Sequence, residues 1–234
     1  MAISSQTILA SSIVAADGPF CSVHDLLFDT DTWHIRYVVV DTGGWLHGRR
    51  VLLSPSIVER CDWLNHEIAV GSTRQQVEDS PPVETVPPIS HEGEVALARH
   101  YAWTAYWLGR SPAAGSASHL QSVREATGSA VEAADGPVGS VEDFIVDDNP
   151  WGNGSWEIRY LVVELRGWFR HKRVLVAPVW ADEIDWEGRK LRLGVPRGQI
   201  QESPEFDPGE PVNREAEQRL YDYYGLPKYW AKSG

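Results

Sequence analysis

Trp156-Glu157-Ile158-Arg159-Tyr160-Leu161-Val162-Val163 decides the fold, because the chain contains it twice; the earlier version is Trp33-His34-Ile35-Arg36-Tyr37-Val38-Val39-Val40. Six of the eight positions are identical, and both versions are rich in β-branched and aromatic residues, which favour strands. Alternate residues from Trp156 to Val162 share one apolar face, whereas the opposite face begins charged and becomes apolar. We therefore predict a central strand in each of two related domains. The repeated structural residues are Trp33, Arg36, Tyr37, Trp156, Arg159 and Tyr160.

The repetition extends over most of the chain. Asp17-Gly18-Pro19 recurs as Asp135-Gly136-Pro137 at an offset of 118, and from Trp33 to Trp156 onward the offset is 123. The extra residues of the second copy fall in a Gly-, Pro- and Asn-rich loop. A match of this length indicates tandem duplication of a domain. We predict domains at 1–110 and 119–234, joined by a flexible linker at 111–118.

Each copy contains several short strands separated by turns, a pattern typical of a small barrel. A helix follows each barrel, with Ser90 or Asn213 as the predicted N-cap and Gly225 ending the second helix. The predicted fold class is mainly β: two tandem small antiparallel β-barrels, each followed by a short C-terminal helix. Closing each sheet would remove its exposed edges.

Charge and composition exclude several classes of protein. The net charge of −12 disfavours nucleic acid and anionic lipid as partners, and the short basic stretch from Arg166 to Arg173 is interpreted as a solvated loop. No stretch is apolar enough to span a bilayer, and Met1 is not followed by the basic start of a secretory signal. The predicted compartment is the cytoplasm.

The second copy resembles a PRC-barrel domain, the β-barrel of the cytoplasmic part of the photosynthetic reaction centre H subunit. The resemblance lies in Leu120 to Gly128, Asp135 to Phe144, Trp156 to Val163 and Lys172 to Pro178. Residues from Asn213 to Trp230 are similar to the tail of stand-alone bacterial PRC-barrel proteins, and copy one fits from Asp17 onward. The resemblance implies two barrels and a non-enzymatic, assembly-type role.

The sequence contains no pattern that predicts an enzyme or a cofactor site. Cys21 and Cys61 correspond to Gly139 and Ile184 in copy two, so we predict neither a disulfide nor a metal site and expect a buried apolar role. The loop from Asp147 to Gly154 departs from a calcium loop, because it would place a Trp at a ligand position. The eight His are scattered, and none recurs in both copies. We predict no catalytic residue, no metal and no cofactor.

Arg36 and Arg159 are the clearest repeated polar residues. One interpretation is that each binds a carboxylate of a partner protein at the mouth of its barrel. The alternative is that each pairs with an acid of its own domain, such as Asp25 or Asp143, and packs its stem on aromatic rings. We prefer the second interpretation, because a repeated residue more often serves a repeated fold.

Aromatic residues cluster after each helix, a composition that is enriched at interfaces. The candidate interface residues are Trp103, Tyr106, Trp107, Tyr223, Tyr224, Tyr229 and Trp230. They predict an internal pseudo-dimer of the two repeats, with self-association into a homo-oligomer as one alternative. The rival interpretation is that each aromatic tail folds back on its own barrel. The predicted function is a cytoplasmic binding or assembly module for a protein partner whose identity the sequence does not reveal. The rival hypotheses are an RNA-processing adaptor of the ribosome maturation type and an unrecognised enzyme.

Overall fold

The computed structural model describes residues 1–43, 48–104, 119–148, 155–166, 172–228 and 230. The described residues are mainly β, as the sequence predicts. None of their helices is long and apolar enough to cross a membrane. The predicted linker at 111–118 lies outside the described residues.

The two halves of the sequence form the same ten elements in the same order among the described residues. The elements of the first half are β1 (Ala2–Ser4), α1 (Ser5–Leu9), β2 (Ser12–Ala15), β3 (Gly18–Asp29), β4 (His34–Asp41), β5 (Arg50–Leu53), β6 (Val58–Asp62), β7 (Glu67–Val70), α2 (Arg74–Glu78) and α3 (His91–Tyr101). Those of the second half are β8 (Leu120–Ser122), α4 (Val123–Ala126), β9 (Ala130–Ala133), β10 (Gly136–Asp147), β11 (Trp156–Leu165), β12 (Arg173–Val176), β13 (Ala181–Asp185), β14 (Lys190–Leu193), α5 (Arg197–Glu202) and α6 (Arg214–Tyr224). The repeat therefore begins before Asp17, at β1 and β8, which the sequence comparison did not detect.

The strands pair into one large mixed sheet, whose main order is β13-β14-β9-β10-β11-β4-β3-β2-β7-β6. Four further strands pair beside this main order: β1 with β10, β12 with β11, β5 with β4 and β8 with β3. Among the described residues this sheet is not closed. The pairs β2–β7 and β9–β14 are parallel, so the prediction of wholly antiparallel strands is wrong at these places. Strands joined by a tight turn must be antiparallel, but four strands separate the members of each parallel pair along the chain. No turn therefore fixes their relative direction.

The chain forms two compact units, and each contains segments from both halves of the sequence. Unit 1 comprises Met1, residues 5–125 and residues 147–157, whereas unit 2 comprises residues 2–4, 126–146 and 158–234. Strand β8 consequently belongs to unit 1, where it pairs with β3, and strand β1 belongs to unit 2, where it pairs with β10. The predicted domains at 1–110 and 119–234 are each one continuous stretch of sequence, and these boundaries stay a prediction.

The central strands differ at their first residue. Strand β11 begins at Trp156 as predicted, and this side chain is 1% exposed. Strand β4 begins one residue after Trp33, which has a φ of 60°, a left-handed conformation that is unusual for a bulky residue. Trp33 is nevertheless buried, and its ring stacks on Phe28 with centroids 5.2 Å apart.

The two long helices begin as predicted. The Ser90 hydroxyl accepts a hydrogen bond from the Gly93 amide at 3.2 Å, and the Asn213 side chain accepts one from the Ala216 amide at 2.9 Å. These bonds satisfy amides that have no partner within the helix. Gly225 ends α6 with a φ of 63°, the left-handed conformation that glycine adopts readily.

Candidate functional site

The predicted interface aromatics of the first half contact rings of their own unit. Trp103 stacks on Tyr101, with centroids 4.7 Å apart and an angle of 10° between the rings, and lies 6.4 Å from the ring of Tyr37. Trp103 remains half-buried. Tyr106 and Trp107 lie outside the described residues. The structure thus places Trp103 beside the repeated Tyr of the central strand.

The aromatics of the second half also contact rings of their own unit. Trp230 packs edge-on against Tyr221 at 5.1 Å, and the Arg214 guanidinium lies 4.3 Å from the centroid of the Trp230 ring. Tyr224 contacts Trp180 at 4.9 Å and Tyr223 at 5.0 Å. Tyr229 lies outside the described residues. A role of this cluster in an interface stays a prediction.

Arg36 pairs with an acid of its own unit, and that acid is Asp29. The guanidinium donates to the Asp29 carboxylate at 3.2 Å and to the Thr32 hydroxyl at 2.9 Å. Burial acts to raise the pKa of Asp29, but the Arg36 charge and the hydrogen bonds from Thr32 outweigh it, so the pKa lies below its usual value. The sequence analysis named Asp25 as an example of such an acid, but Asp25 instead accepts a hydrogen bond from Ser122.

A buried tyrosine–glutamate hydrogen bond occurs in both units and was missed by sequence reasoning. The Tyr37 hydroxyl donates to Glu94 at 2.9 Å, and the Tyr160 hydroxyl donates to Glu217 at 2.9 Å. Each bond ties a central strand to the long helix of the same unit, and all four residues are buried. A signal was available, since both glutamates lie three residues before a core leucine at the 123-residue offset.

A second repeated hydrogen bond joins a serine to a buried aspartate. In unit 2 the Ser4 hydroxyl donates to Asp143 at 2.5 Å, and in unit 1 the Ser122 hydroxyl donates to Asp25 at 2.5 Å. The Asp25 carboxylate also accepts from the backbone amide of Arg124 at 3.2 Å. These aspartates therefore hold β1 and β8 in their places on the sheet, and both are less than one-tenth exposed.

A cleft of about 150 Å³ opens in unit 1 beside the Arg36 side chain. Its apolar wall is formed by Ile35, Tyr37, Pro55 and the Trp103 ring, and its polar lining comes from His34, Arg36, Ser54, Ser56, Thr104 and Ser155. Strand β4 supplies one wall, and the turn that follows β5 supplies the serines. The cleft thus combines hydrogen-bonding groups with an aromatic face, and the two together can bind a polar segment that carries an apolar side chain.

Hydrogen bonds fix the polar groups of this cleft. The Ser54 and Ser56 hydroxyls lie 2.8 Å apart, and the Ser54 hydroxyl also accepts from the Ser56 amide at 3.3 Å. The ring Nδ1 of His34 lies 2.9 Å from the Thr32 carbonyl. Because a carbonyl only accepts, this nitrogen carries the proton and Nε2 is the acceptor in the neutral ring. The lining can therefore donate and accept hydrogen bonds without rearranging.

The second copy lacks the serine hydroxyls at the equivalent positions, and Glu157 replaces His34. The residues shared by both copies are Ile35 and Ile158, Arg36 and Arg159, Tyr37 and Tyr160, and Pro55 and Pro178. Those that differ are Ser54 and Ala177, Ser56 and Val179, Trp103 and Leu226, and Thr104 and Pro227. Val179 is 79% exposed, so unit 2 presents an apolar surface where unit 1 presents a hydroxyl. At this site the copies share the strand residues and the proline, and they differ at the hydroxyls and at the Trp103 ring.

A smaller pocket of about 60 Å³ lies in unit 2 along α6. Leu175, Val212 and Leu220 are among its apolar lining residues, and Glu205 and Glu210 are among its polar ones. Its volume suits a single small side chain. The larger cleft of unit 1 is therefore the stronger candidate for recognition.

The cysteines are free thiols and half-buried, rather than fully buried as predicted. Burial, assisted by the nearby Asp148 carboxylate, raises the pKa of Cys61 to about 12, and burial together with Asp41 raises the pKa of Cys21 further. Only a thiolate is a strong nucleophile or metal ligand. Within the described ranges no group of three His, Cys, Asp or Glu side chains is placed to hold a metal.

The carboxylates that resembled the start of a calcium loop bind groups of unit 1. Asp147 accepts a hydrogen bond from the Met1 ammonium at 3.2 Å, and Asp148 accepts one from the same ammonium and one from the Trp63 ring nitrogen at 2.9 Å. Residues 149–154 lie outside the described residues.

The predicted basic stretch from Arg166 to Arg173 is partly paired with an acid, since Arg173 donates to Glu142 at 2.5 and 2.7 Å. Residues 167–171 lie outside the described residues.

No protein-family model matches the chain, and no curated protein matches it significantly. The PRC-barrel resemblance therefore depends on the sequence alone.

Proposed function

We propose that the chain is a non-enzymatic cytoplasmic binding or assembly module built from two PRC-barrel-type domains, and that the cleft beside Arg36 recognises a protein partner. The observation that carries the proposal is the difference between the copies at the cleft. The strand and helix contacts are duplicated, as the two Tyr–Glu bonds illustrate, whereas the cleft hydroxyls of Ser54, Ser56 and Thr104 are replaced by Ala177, Val179 and Pro227 in the other copy. Duplicated folds retain their structural contacts, so the loss of these hydroxyls and of the Trp103 ring in the second copy favours a recognition role for the cleft of unit 1.

The chemistry of the cleft favours a neutral polar segment of the partner over an isolated carboxylate. The Arg36 charge is balanced by Asp29 at 3.2 Å, and the chain as a whole carries a net charge of −12. Both facts weaken the attraction of the cleft for an anion. The serine hydroxyls and the imidazole can hydrogen-bond to amide or backbone groups, while Trp103 offers a ring against which an apolar side chain packs.

The equivalent residues of the two copies provide matched substitutions for testing whether the cleft binds a partner. The double variant Ser54→Ala/Ser56→Val gives unit 1 the residues that unit 2 already has at these positions, so we expect it to fold. The matched control is Ala177→Ser/Val179→Ser, which makes the reverse change in unit 2. Both variants and the wild-type chain are used to capture proteins from the source cell, and each captured protein is then purified and titrated against all three by calorimetry.

We expect a partner that binds the wild-type chain and the unit 2 control directly, and that loses most of its affinity for the unit 1 double variant. Equal affinity for all three chains would refute the cleft as the recognition site. A thermal-shift series with metals, nucleotides and RNA runs in parallel, because a specific ligand stabilises the folded state. Stabilisation by RNA would instead favour the ribosome maturation type of function, and stabilisation by a nucleotide or metal would favour an enzyme.

A further inference from the structure

Each compact unit obtains one strand from the other half of the sequence. In unit 1, β8 pairs antiparallel with β3 through Leu27 with Ser122, Phe28 with Gln121 and Asp29 with Leu120. In unit 2, β1 pairs with β10. Since β1 and β8 are the same element of the repeat, the two halves exchange equivalent strands.

The exchanged strands are held by side chains as well as by the sheet. Ser122 binds Asp25, and Ser4 binds Asp143, at the same position of the repeat. Leu120 and Val123 are 5% and 0% exposed, so β8 and the start of α4 contribute apolar contacts to unit 1. Ala2 packs against the hydrophobic cluster of unit 2 around Tyr160 and Leu220. The strand sites are therefore specific for these segments.

We propose that these strand sites also accept the corresponding strands of a second copy of this chain, so that two chains pair their halves reciprocally and form an exchanged dimer. In the dimer, β8 of one copy pairs with β3 of the other, and β1 pairs with β10 of the other. Every hydrogen bond of the monomer is then remade with identical partners. Monomer and dimer differ in chain entropy and not in contacts, which is the condition for domain swapping.

Concentration decides between the two forms. Within one chain the halves are connected by the predicted linker at 111–118, a stretch rich in Ser, Ala and Gly. Connections of this kind typically give an effective concentration in the millimolar range. The monomer therefore dominates when the chain folds in dilute solution, and the fraction of dimer rises as the folding concentration approaches that range.

Tagged and untagged full-length chains test the proposal by native mass spectrometry. When both are folded separately and then mixed, we expect no mixed dimer, because exchange requires both units to open. When they are unfolded together in urea and refolded at increasing concentration, we expect a mixed dimer whose share grows with concentration. The mixed dimer should persist on dilution and give the near-ultraviolet circular dichroism of the monomer.

Two results would overturn the proposal. The first is the absence of mixed dimer after joint refolding up to millimolar concentration. The second is mixed dimer that forms on simple mixing of folded chains and dissociates on dilution, which identifies contact between folded surfaces. The cleft is tested by partner binding and the exchanged dimer by mass spectrometry. If the chain still binds its partner through the cleft while either of these results is found, only the exchanged dimer is refuted and the proposed function is not.

Discussion

Replacing Tyr160 by Phe tests whether the buried Tyr–Glu hydrogen bond stabilises unit 2. Tyr160 is 1% exposed and Glu217 is 7% exposed, and the hydroxyl donates to the carboxylate at 2.9 Å. The substitution removes only this hydroxyl and keeps the ring that fills the core. Hydrogen bonds to charged groups contribute about 1.5–3 kcal/mol. We therefore expect Tyr160→Phe to lower the free energy of unfolding by about this amount.

The assay is urea unfolding followed by tryptophan fluorescence, with thermal unfolding as a second measurement. For a chain of this size, each kcal/mol lowers the melting temperature by about 2–4 °C, so the expected fall is about 3–12 °C. Tyr223→Phe is the matched control on the same helix, because its hydroxyl donates to the neutral Gln199 carbonyl at 2.7 Å. That bond should contribute about 0.5–1.5 kcal/mol.

A loss for Tyr160→Phe no larger than the loss for Tyr223→Phe would refute the reasoning. Comparing the double variant Tyr160→Phe/Glu217→Gln with the two single variants gives a coupling energy between the side chains. This energy should differ from zero because the residues are in contact. Tyr37→Phe should reproduce the effect in unit 1, where Tyr37 donates to Glu94 at the same distance. A loss in one unit alone would show that the duplicated bond does not contribute equally in both.

Three further outcomes follow from the same geometry. Trp156→Ala and Trp33→Ala should each cost roughly 3–5 kcal/mol in urea unfolding, because both remove a large buried ring; losses within about 0.5 kcal/mol of the wild type would be those of an exposed residue. Cys61, with a pKa of about 12, should react with iodoacetamide at mildly alkaline pH far more slowly in the folded chain than in urea, and equal rates would show that the thiol is accessible and unperturbed. The folded-state pKa of Asp29 is lowered mainly by Arg36, against the effect of burial. The contribution of Asp29 to the free energy of unfolding is therefore present above the unfolded pKa near 3.8 and is lost as the pH falls through the lower folded value. Asp29→Asn should remove that part of the acid dependence of stability, and an unchanged pH profile would contradict the reasoning.

The sequence predicted the central strand, the helix caps and the mainly β class because each depends on local information. Alternation in the stretch from Trp156 is visible over eight residues, and a cap such as Asn213 acts within one turn of its helix. The half-buried charged residues and buried apolar residues of β11 follow the predicted alternation. Duplication strengthened these predictions, because each pattern was seen twice.

The features that the sequence missed depend on distant parts of the chain. The parallel pair of β2 with β7 joins strands that no turn connects. The Ser122–Asp25 bond joins residues 97 positions apart, and Asp25 looked like a partner for Arg36 until the structure placed Asp29 there. The cleft was also missed, since Ser54, Ser56 and Trp103 come together only after folding. The difference between the copies at these positions was visible in the sequence and was the available signal.

Separately produced fragments 1–112 and 119–234 test most directly whether each compact unit is built from both halves of the sequence. Each fragment lacks a strand that its own unit requires, namely β8 for unit 1 and β1 for unit 2. We expect neither fragment alone to give the near-ultraviolet circular dichroism of the intact chain, and we expect a one-to-one complex on mixing that restores it. Ser4→Ala in the first fragment and Ser122→Ala in the second should each weaken that complex. Fragments that fold independently, remain monomeric in sedimentation and do not bind each other would contradict the account.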